Sequence, residues 1–178
     1  MARAARIPSN QSRIHSFPPV VGHGARVLIL GSMPGKASLA AQQYYAHKQN
    51  RFWTIMGELA GAGPELPYEW RLGLLKANGI ALWDVLHSCT RSSSLDADID
   101  DTTIVPNAIV ELLKTHRGIQ RVYFNGHKAA QTFERHLRAD ADRLKREIAY
   151  ARLPSTSPAN ASVPYAEKLR QWRAVLEG

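Results

Sequence analysis

The sequence predicts an α/β protein, a three-layer α/β/α sandwich around a four-stranded, mainly parallel central sheet. Four short apolar runs carry that prediction: Val27–Leu30, Ile80–Val85, Arg121–Phe124 and Ile148–Leu153. Each is bounded by Gly, Asn or Pro, and helical patterns separate them. Strands alternating with helices make βαβ units, which close as a parallel sheet with helices on both faces. Ligands of such sheets bind beyond the carboxyl ends of the strands. That rule nominates four loops: "GSMPG", "DVLHSCTR", "NGHKAA" and "PSTSPANAS".

The helices follow in order. After Asn50, "RFWTIMGELAG" places Phe52, Ile55, Met56 and Leu59 on one face and stops at Gly61. "WRLGLLKANG" ends with Lys76 in its last turn and Gly79 just beyond it. "IVPNAIVELLKTH" and "KAAQTFERHLRADADRLKRE" are likewise helical, and Pro164 fits the first turn of a last helix, "PYAEKLRQWRAVLEG". The opening "MARAARIPSNQSRIHSF" lacks the apolar region of a secretory signal and reads as a basic arm, residues 1–16, ahead of one domain, 17–178.

A chain of 178 residues is long enough to bury a real core. No apolar run approaches the roughly 20 residues that span a membrane. One cysteine, Cys89, excludes a disulfide framework and any all-cysteine metal or iron–sulfur site within the chain. The default location is the cytoplasm. A net charge of +8 and a pI of about 9.9 suit a phosphate-rich partner, through counterion release, and equally suit plain solubility.

The loops hold the chemistry. In "GSMPG", Gly31 permits a close backbone approach and Pro34-Gly35 makes a tight turn with exposed amides. Such amides hold a phosphate, a carbonyl oxygen or a water, or simply carry the chain from strand to helix. In "YYAHKQNRFW", Tyr45 and Phe52 offer faces for a planar ring, whereas Trp53 reads as core. Asn50 precedes a helix and suits an N-cap; His47 suits a phosphate or a backbone carbonyl. Lys48 and Arg51 flank the block and suit a DNA backbone. Asp84 ends a predicted central strand, where a carboxylate is costly to bury without partners. Asn125 has an analogous position, with Lys128 nearby, and suits either a turn or a ligand. "PSTSPANAS" offers hydroxyls and amides for phosphates, or a polar loop that caps the last helix.

Taken together, "GSMPG", "YYAHKQNRFW", "LWDVLHSCTR", "FNGHKA" and "LPSTSPANAS", in this order, resemble the uracil-DNA glycosylase superfamily, most closely its hypoxanthine-DNA glycosylase branch. The likeness runs from about Phe17 to the C-terminus. It implies a monofunctional enzyme that flips a deaminated base out of DNA and hydrolyses its N-glycosidic bond, with no metal or cofactor. The expected partner is DNA containing such a base, with no membrane, and a monomer suffices to flip one nucleotide. By this resemblance Asn50 and Asp84 are the catalytic candidates. Gly31, Ser32, Met33, Pro34, Tyr45, His47, Phe52 and Asn125 line the base pocket, Tyr45 as the stacking ring. Lys48, Arg51, Lys128, Ser155, Thr156, Ser157, Pro158 and Asn160 grip DNA.

Two departures from the resemblance bear on the base. Mismatch-specific uracil enzymes carry an asparagine where this chain has Met33, and stronger uracil enzymes carry His or Asn near Ser155. Both count against robust uracil excision; the family likeness places hypoxanthine first, with xanthine and uracil open. A catalytically silent DNA-binding module of the same fold and a hydrolase of free nucleosides are the readings from other classes.

Overall fold

A computed structural model describes residues 12–177. Residues 1–11 of the expected basic arm lie outside the described residues, and Arg13–His15 form a strand, β1. The chain continues through β2 (Val27–Gly31), α1 (Lys36–Ala41), α2 (Phe52–Ala60), α3 (Tyr68–Ala77), β3 (Ile80–Asp84) and β4 (Leu86–Thr90). It ends with β5 (Val105–Pro106), α4 (Ile109–Thr115), β6 (Arg121–Asn125), α5 (His127–His136), α6 (Arg138–Asp142), β7 (Ala149–Leu153) and α7 (Tyr165–Trp172).

The four expected strands form one sheet in the order β3-β2-β6-β7, and all its pairings are parallel. Side chains alternate across it as strand geometry requires. Leu28, Leu30, Val122 and Phe124 pack on one face with Ile109, Leu113, Ala129 and Phe133 of α4 and α5. Val27, Ile29 and Tyr123 pack on the other with Phe52, Ile55, Met56, Leu75 and Trp172 of α2, α3 and α7. The result is the α/β/α sandwich, with all four strands ending on the same side.

Three local expectations change. "DVLHSCTR" is not a loop: β4 pairs antiparallel with β1 and β5 in a second, three-stranded sheet. Its partners Arg13–His15 lie some seventy positions away in sequence, beyond the reach of local pattern. "IVPNAIVELLKTH" begins as a strand because Pro106 disfavours the helical region at Val105. The long pattern from Lys128 breaks at Leu137 into α5 and α6. A straight twenty-residue helix would run about 30 Å, well past a five-residue strand of about 17 Å; the break keeps Phe133 and Ala141 both buried.

Candidate active site

The ends of β2 and β3 are built around a glycine. Gly31 stands in register with Asp84, and a Cβ there would collide with Asp84 Oδ1 and lie 3.0 Å from the Tyr45 hydroxyl oxygen. Only a residue without a side chain lets these three meet. The loop that follows is tied down residue by residue. Ser32 Oγ donates to Asp96 Oδ1 at 2.7 Å, and the Pro34 carbonyl accepts from Arg91 Nη2 at 2.6 Å. The Met33 side chain is buried in the sheet core, so only the backbone of Met33 can serve a ligand.

Tyr45 holds a left-handed backbone, φ 55, which a bulky residue adopts only where its surroundings impose it. The surroundings do so on both sides. The Tyr44 N–H donates to the Tyr68 hydroxyl at 2.9 Å, and the Trp53 indole N–H donates to the Tyr44 carbonyl at 2.8 Å. The Ala46 N–H donates to Ser38 Oγ at 3.1 Å. One face of the Tyr45 ring stacks on Phe52, with centroids 4.0 Å apart. Phe52 is itself 0% exposed, which corrects its expected role: it meets no ligand and instead backs the tyrosine. The Tyr45 hydroxyl is buried with no hydrogen bond of normal geometry, although the Asn125 side chain lies close enough to temper its upward shift.

Asp84 is 4% exposed, and its Oδ2 has no partner. Burial first, and then the neighbouring Asp96, raise its carboxyl to about 7, against the pull of Arg91. Its backbone is fixed from below. Asn107 Nδ2 donates to the carbonyls of Asp84 at 2.8 Å and Leu86 at 3.1 Å. Burial also raises Asp96, while the Ser32 hydroxyl and Arg91 lower it. Burial drives the Tyr45 hydroxyl far above its ordinary range, helped by the charge of Asp84.

Arg91 and Asp96 are absent from the residues that the sequence nominated. Arg91 is 6% exposed, and its Nε and Nη1 are buried with no partner. Together with Asp84 Oδ2 and the Tyr45 hydroxyl, four unpaired polar atoms surround the Gly31 loop. A signal was present. "RSSSLDADIDD" is a pocket of acid in a basic chain.

The last loop is organised differently. Asn125 Nδ2 donates to Thr156 Oγ1 at 2.9 Å, and its Oδ1 accepts from the Thr156 N–H at 3.0 Å. This two-point latch occupies the carboxamide that the sequence offered to the base. Thr156 is 1% exposed, so its hydroxyl is not free for DNA. Asn160 Nδ2 donates to the Ser155 carbonyl at 3.2 Å, and Lys168 Nζ donates to the Asn160 carbonyl at 2.7 Å. Ser155 and Ser157 hydroxyls accept from the amides of Ser157 and Ala159, each at 3.2 Å. Pro158 is exposed at the tip. Gly126, at φ 95, brings α5 against this loop: a Cβ there would lie 3.0 Å from the Ser155 Cβ.

Between the two regions lies the Asn50 block. Asn50 Oδ1 accepts from the Phe52 N–H at 2.9 Å, in the turn just ahead of α2, whose N-cap is Arg51 rather than Asn50. The Arg51 N–H donates to the Thr156 carbonyl at 3.0 Å, which couples this block to the last loop. His47, Lys48 and Arg51 are exposed, and His47 Nδ1 accepts from the Gln49 N–H. Lys128 is instead held in an ion pair with Asp101, so its charge is already engaged. Among the described residues, no group of three or more His, Cys, Asp or Glu is placed to hold a metal ion. Nor is any helix long and apolar enough to cross a membrane.

The chain is similar to known proteins over most of its length. The model of the uracil DNA glycosylase superfamily matches residues 18–176. A hypoxanthine DNA glycosylase of Methanosarcina barkeri is 38% identical over 124 residues, 69% of this chain and 77% of that protein. A hypoxanthine DNA glycosylase of Methanosarcina acetivorans is 35% identical over 161 residues, 90% of this chain and 96% of that one. The solution NMR structure of a candidate uracil DNA glycosylase from Methanosarcina acetivorans superposes with a TM-score of 0.75 at 33% identity. That superposition covers 93% of this chain and 97% of the other.

Proposed function

The chain belongs to the uracil DNA glycosylase superfamily, and from that premise we propose that it excises hypoxanthine from DNA. It is a DNA glycosylase, a hydrolase of N-glycosyl bonds, and DNA is its substrate. The choice of base is the proposal, and one observation carries it: the buried Asp84 carboxyl with an unpaired oxygen beside the unpaired Tyr45 hydroxyl.

Hypoxanthine presents an O6 acceptor beside an N1–H donor. A carboxyl raised to about 7 keeps a neutral fraction near neutral pH, and that form can donate to O6 and accept from N1–H. An ionised carboxylate would repel O6. The flipped base stacks on the face of Tyr45 away from Phe52, a contact of about 1–3 kcal/mol. Extrusion costs a few kcal/mol, least for a mispaired base.

The transition state carries positive charge on the sugar and negative charge on the departing base. Asn50 orients the attacking water: its oxygen has one lone pair on Phe52 N–H and a second to spare, and the group does not titrate. The Gly31 loop amides face the developing negative charge. Lys48 and Arg51 lie exposed for the phosphate backbone. The reaction runs without a covalent lysine intermediate.

The experiment is excision from labelled duplexes carrying inosine, uracil, xanthine or adenine, followed by alkaline cleavage of abasic sites. Inosine is expected to be cut fastest and adenine not at all. Uracil presents the same acceptor–donor pair, so faster cutting of uracil overturns the assignment of the base. Absence of cleavage on every duplex points to a silent DNA-binding module. Borohydride trapping of an enzyme–DNA adduct overturns the mechanism without a lysine.

A further inference from the structure

We infer that Asp96, carried onto the Ser32 hydroxyl by the segment between β4 and β5, is a catalytic residue that takes the proton of the attacking water. The inference rests on the glycosylase reading above. It starts from a gap: "GSMPG" contains no side chain that can accept a proton, and a carboxamide such as Asn50 orients water without removing its proton. The fold fills that gap from a distant segment. Asp96 Oδ1 accepts from Ser32 Oγ at 2.7 Å, which fixes the carboxylate at the mouth of the loop. The side chain is half-buried, and its Oδ2 remains for a water.

Two groups more than nine-tenths buried meet this position with polar atoms unsatisfied: Asp84 through Oδ2, and Arg91 through Nε and Nη1. Buried polar atoms in folded proteins are almost always partnered. Their clustering here marks a place where ligand and water complete the bonding. The charges around Asp96 separate the roles of the two carboxyls. Burial raises the Asp96 carboxyl overall, and Ser32 from the β2 loop, Arg91 beyond β4 and Lys128 from α5 oppose that rise. Asp84 from β3 also faces it, and Tyr45 and Cys89 complete the surroundings. Asp84 lacks the hydroxyl partner, and burial raises its carboxyl to about 7. Two carboxyls, one on a hydroxyl and an arginine and one with an unpaired oxygen, can divide into base and acid.

The step balances. The water oxygen bonds to C1′ as the C1′–N9 bond breaks, and the electron pair of that bond leaves with the base. One water proton passes to Asp96 Oδ2, the base takes a proton from the Asp84 carboxyl, and exchange with solvent restores both groups.

The test is single-turnover excision from an inosine duplex between pH 5 and 9, comparing wild type with Asp96→Asn, Asp96→Glu and Asp98→Asn. Affinity for a duplex bearing a non-hydrolysable 2′-fluoro inosine nucleotide is measured beside it. Asp96→Asn keeps the shape and the Ser32 partner, yet is expected to be slower on the order of 10²-fold. It should also lose the fall in rate on the acid side, while duplex affinity stays within about threefold. Asp96→Glu should restore part of the rate and the acid limb. Asp98→Asn, in the same exposed turn, should match wild type. An Asp96→Asn rate within about threefold of wild type, an unchanged pH profile, or a loss of duplex affinity that parallels the rate overturns the assignment. Wild type that releases no base defeats the glycosylase reading itself, which is a separate outcome.

Discussion

The loops after β2 and β7 look alike in sequence, each a short run of Ser, Pro and small residues, but they treat their polar groups in opposite ways. Around "GSMPG", Tyr45, Asp84 and Arg91 bury polar atoms that no protein group satisfies. Around "PSTSPANAS", Asn125, Asn160 and Lys168 are hydrogen-bonded to the loop. An unsatisfied buried group costs about 1–3 kcal/mol, so the first loop sacrifices stability that the second secures. The difference assigns chemistry to the first and support to the second. Small polar residues and proline serve both.

The largest expected effect separates the two candidates that flank the first loop. Asn50→Ala should slow single-turnover excision of hypoxanthine on the order of 10²-fold, the size of losing one preorganised polar group in a transition state. It also removes the hydrogen bond to the Phe52 N–H, worth about 1 kcal/mol, so rates are compared at a temperature where both proteins are folded. An inert Asp84→Asn beside a near-normal Asn50→Ala would reverse their roles and leave Asn50 only its hydrogen bond to Phe52.

The next prediction is a stability effect in the second region. Asn125→Ala leaves the N–H and hydroxyl of Thr156 buried without partners, which should cost about 1–3 kcal/mol. For a domain of this size that lowers Tm by roughly 2–4 °C per kcal/mol. Excision by the folded fraction should fall much less than in Asn50→Ala. If instead excision vanishes while Tm holds, the latch is part of the chemistry and the contrast between the loops fails.

A smaller effect tests the first region's cost directly. The folded-state pKa of Asp84, about 7, exceeds the ordinary carboxyl value of about 3.9. Between these values the folded protein keeps a proton that the unfolded chain releases, so stability falls as pH rises from about 4 to 7. Below that window both states are protonated; above it both are ionised and the loss is complete. Asp84→Asn removes this dependence. Its stability advantage over wild type should therefore grow from pH 4 to pH 8, by about 1 kcal/mol once relaxation and water entry soften the burial, read as a widening gap in Tm. A constant difference across that range would show that Asp84 is ionised in the folded protein at every pH tested.

Much of this architecture was readable from periodicity. The four strands of the main sheet and the helices starting at Phe52 and Tyr68 follow local patterns of two and 3.6 residues. The second sheet was not, because β4 meets Arg13–His15 only through tertiary pairing. The site divides in the same manner. Gly31, Tyr45, Asn50 and Asp84 stand out by type and position, and Gly31, Tyr45 and Asp84 do converge. Phe52 was misplaced because the pattern that made it aromatic and near a loop also made it the buried first residue of a helix. Asn125 was offered to a base because nothing local shows that Thr156, thirty-one positions on, takes both ends of its amide. Asp96 and Arg91 escaped notice because their meaning comes from Ser32 and Pro34, some sixty residues away.

The finest test of the contrast is Tyr45→Phe. The substitution keeps the ring, its stacking on Phe52 and the clamped backbone, and deletes one oxygen that is buried without a partner. Removing an unsatisfied hydroxyl from the interior should leave stability unchanged or raise it by up to about 1 kcal/mol. A tyrosine whose hydroxyl served only packing would show no other consequence. If the hydroxyl waits for the flipped base beside Asp84, excision should fall several-fold while the affinity for undamaged duplex stays constant, since the backbone contacts lie elsewhere. A decrease in Tm would mean that the hydroxyl already has a partner in the folded protein. The first loop would then be as internally satisfied as the last, and its claim to the chemistry would rest on Asp84 and Asp96 alone.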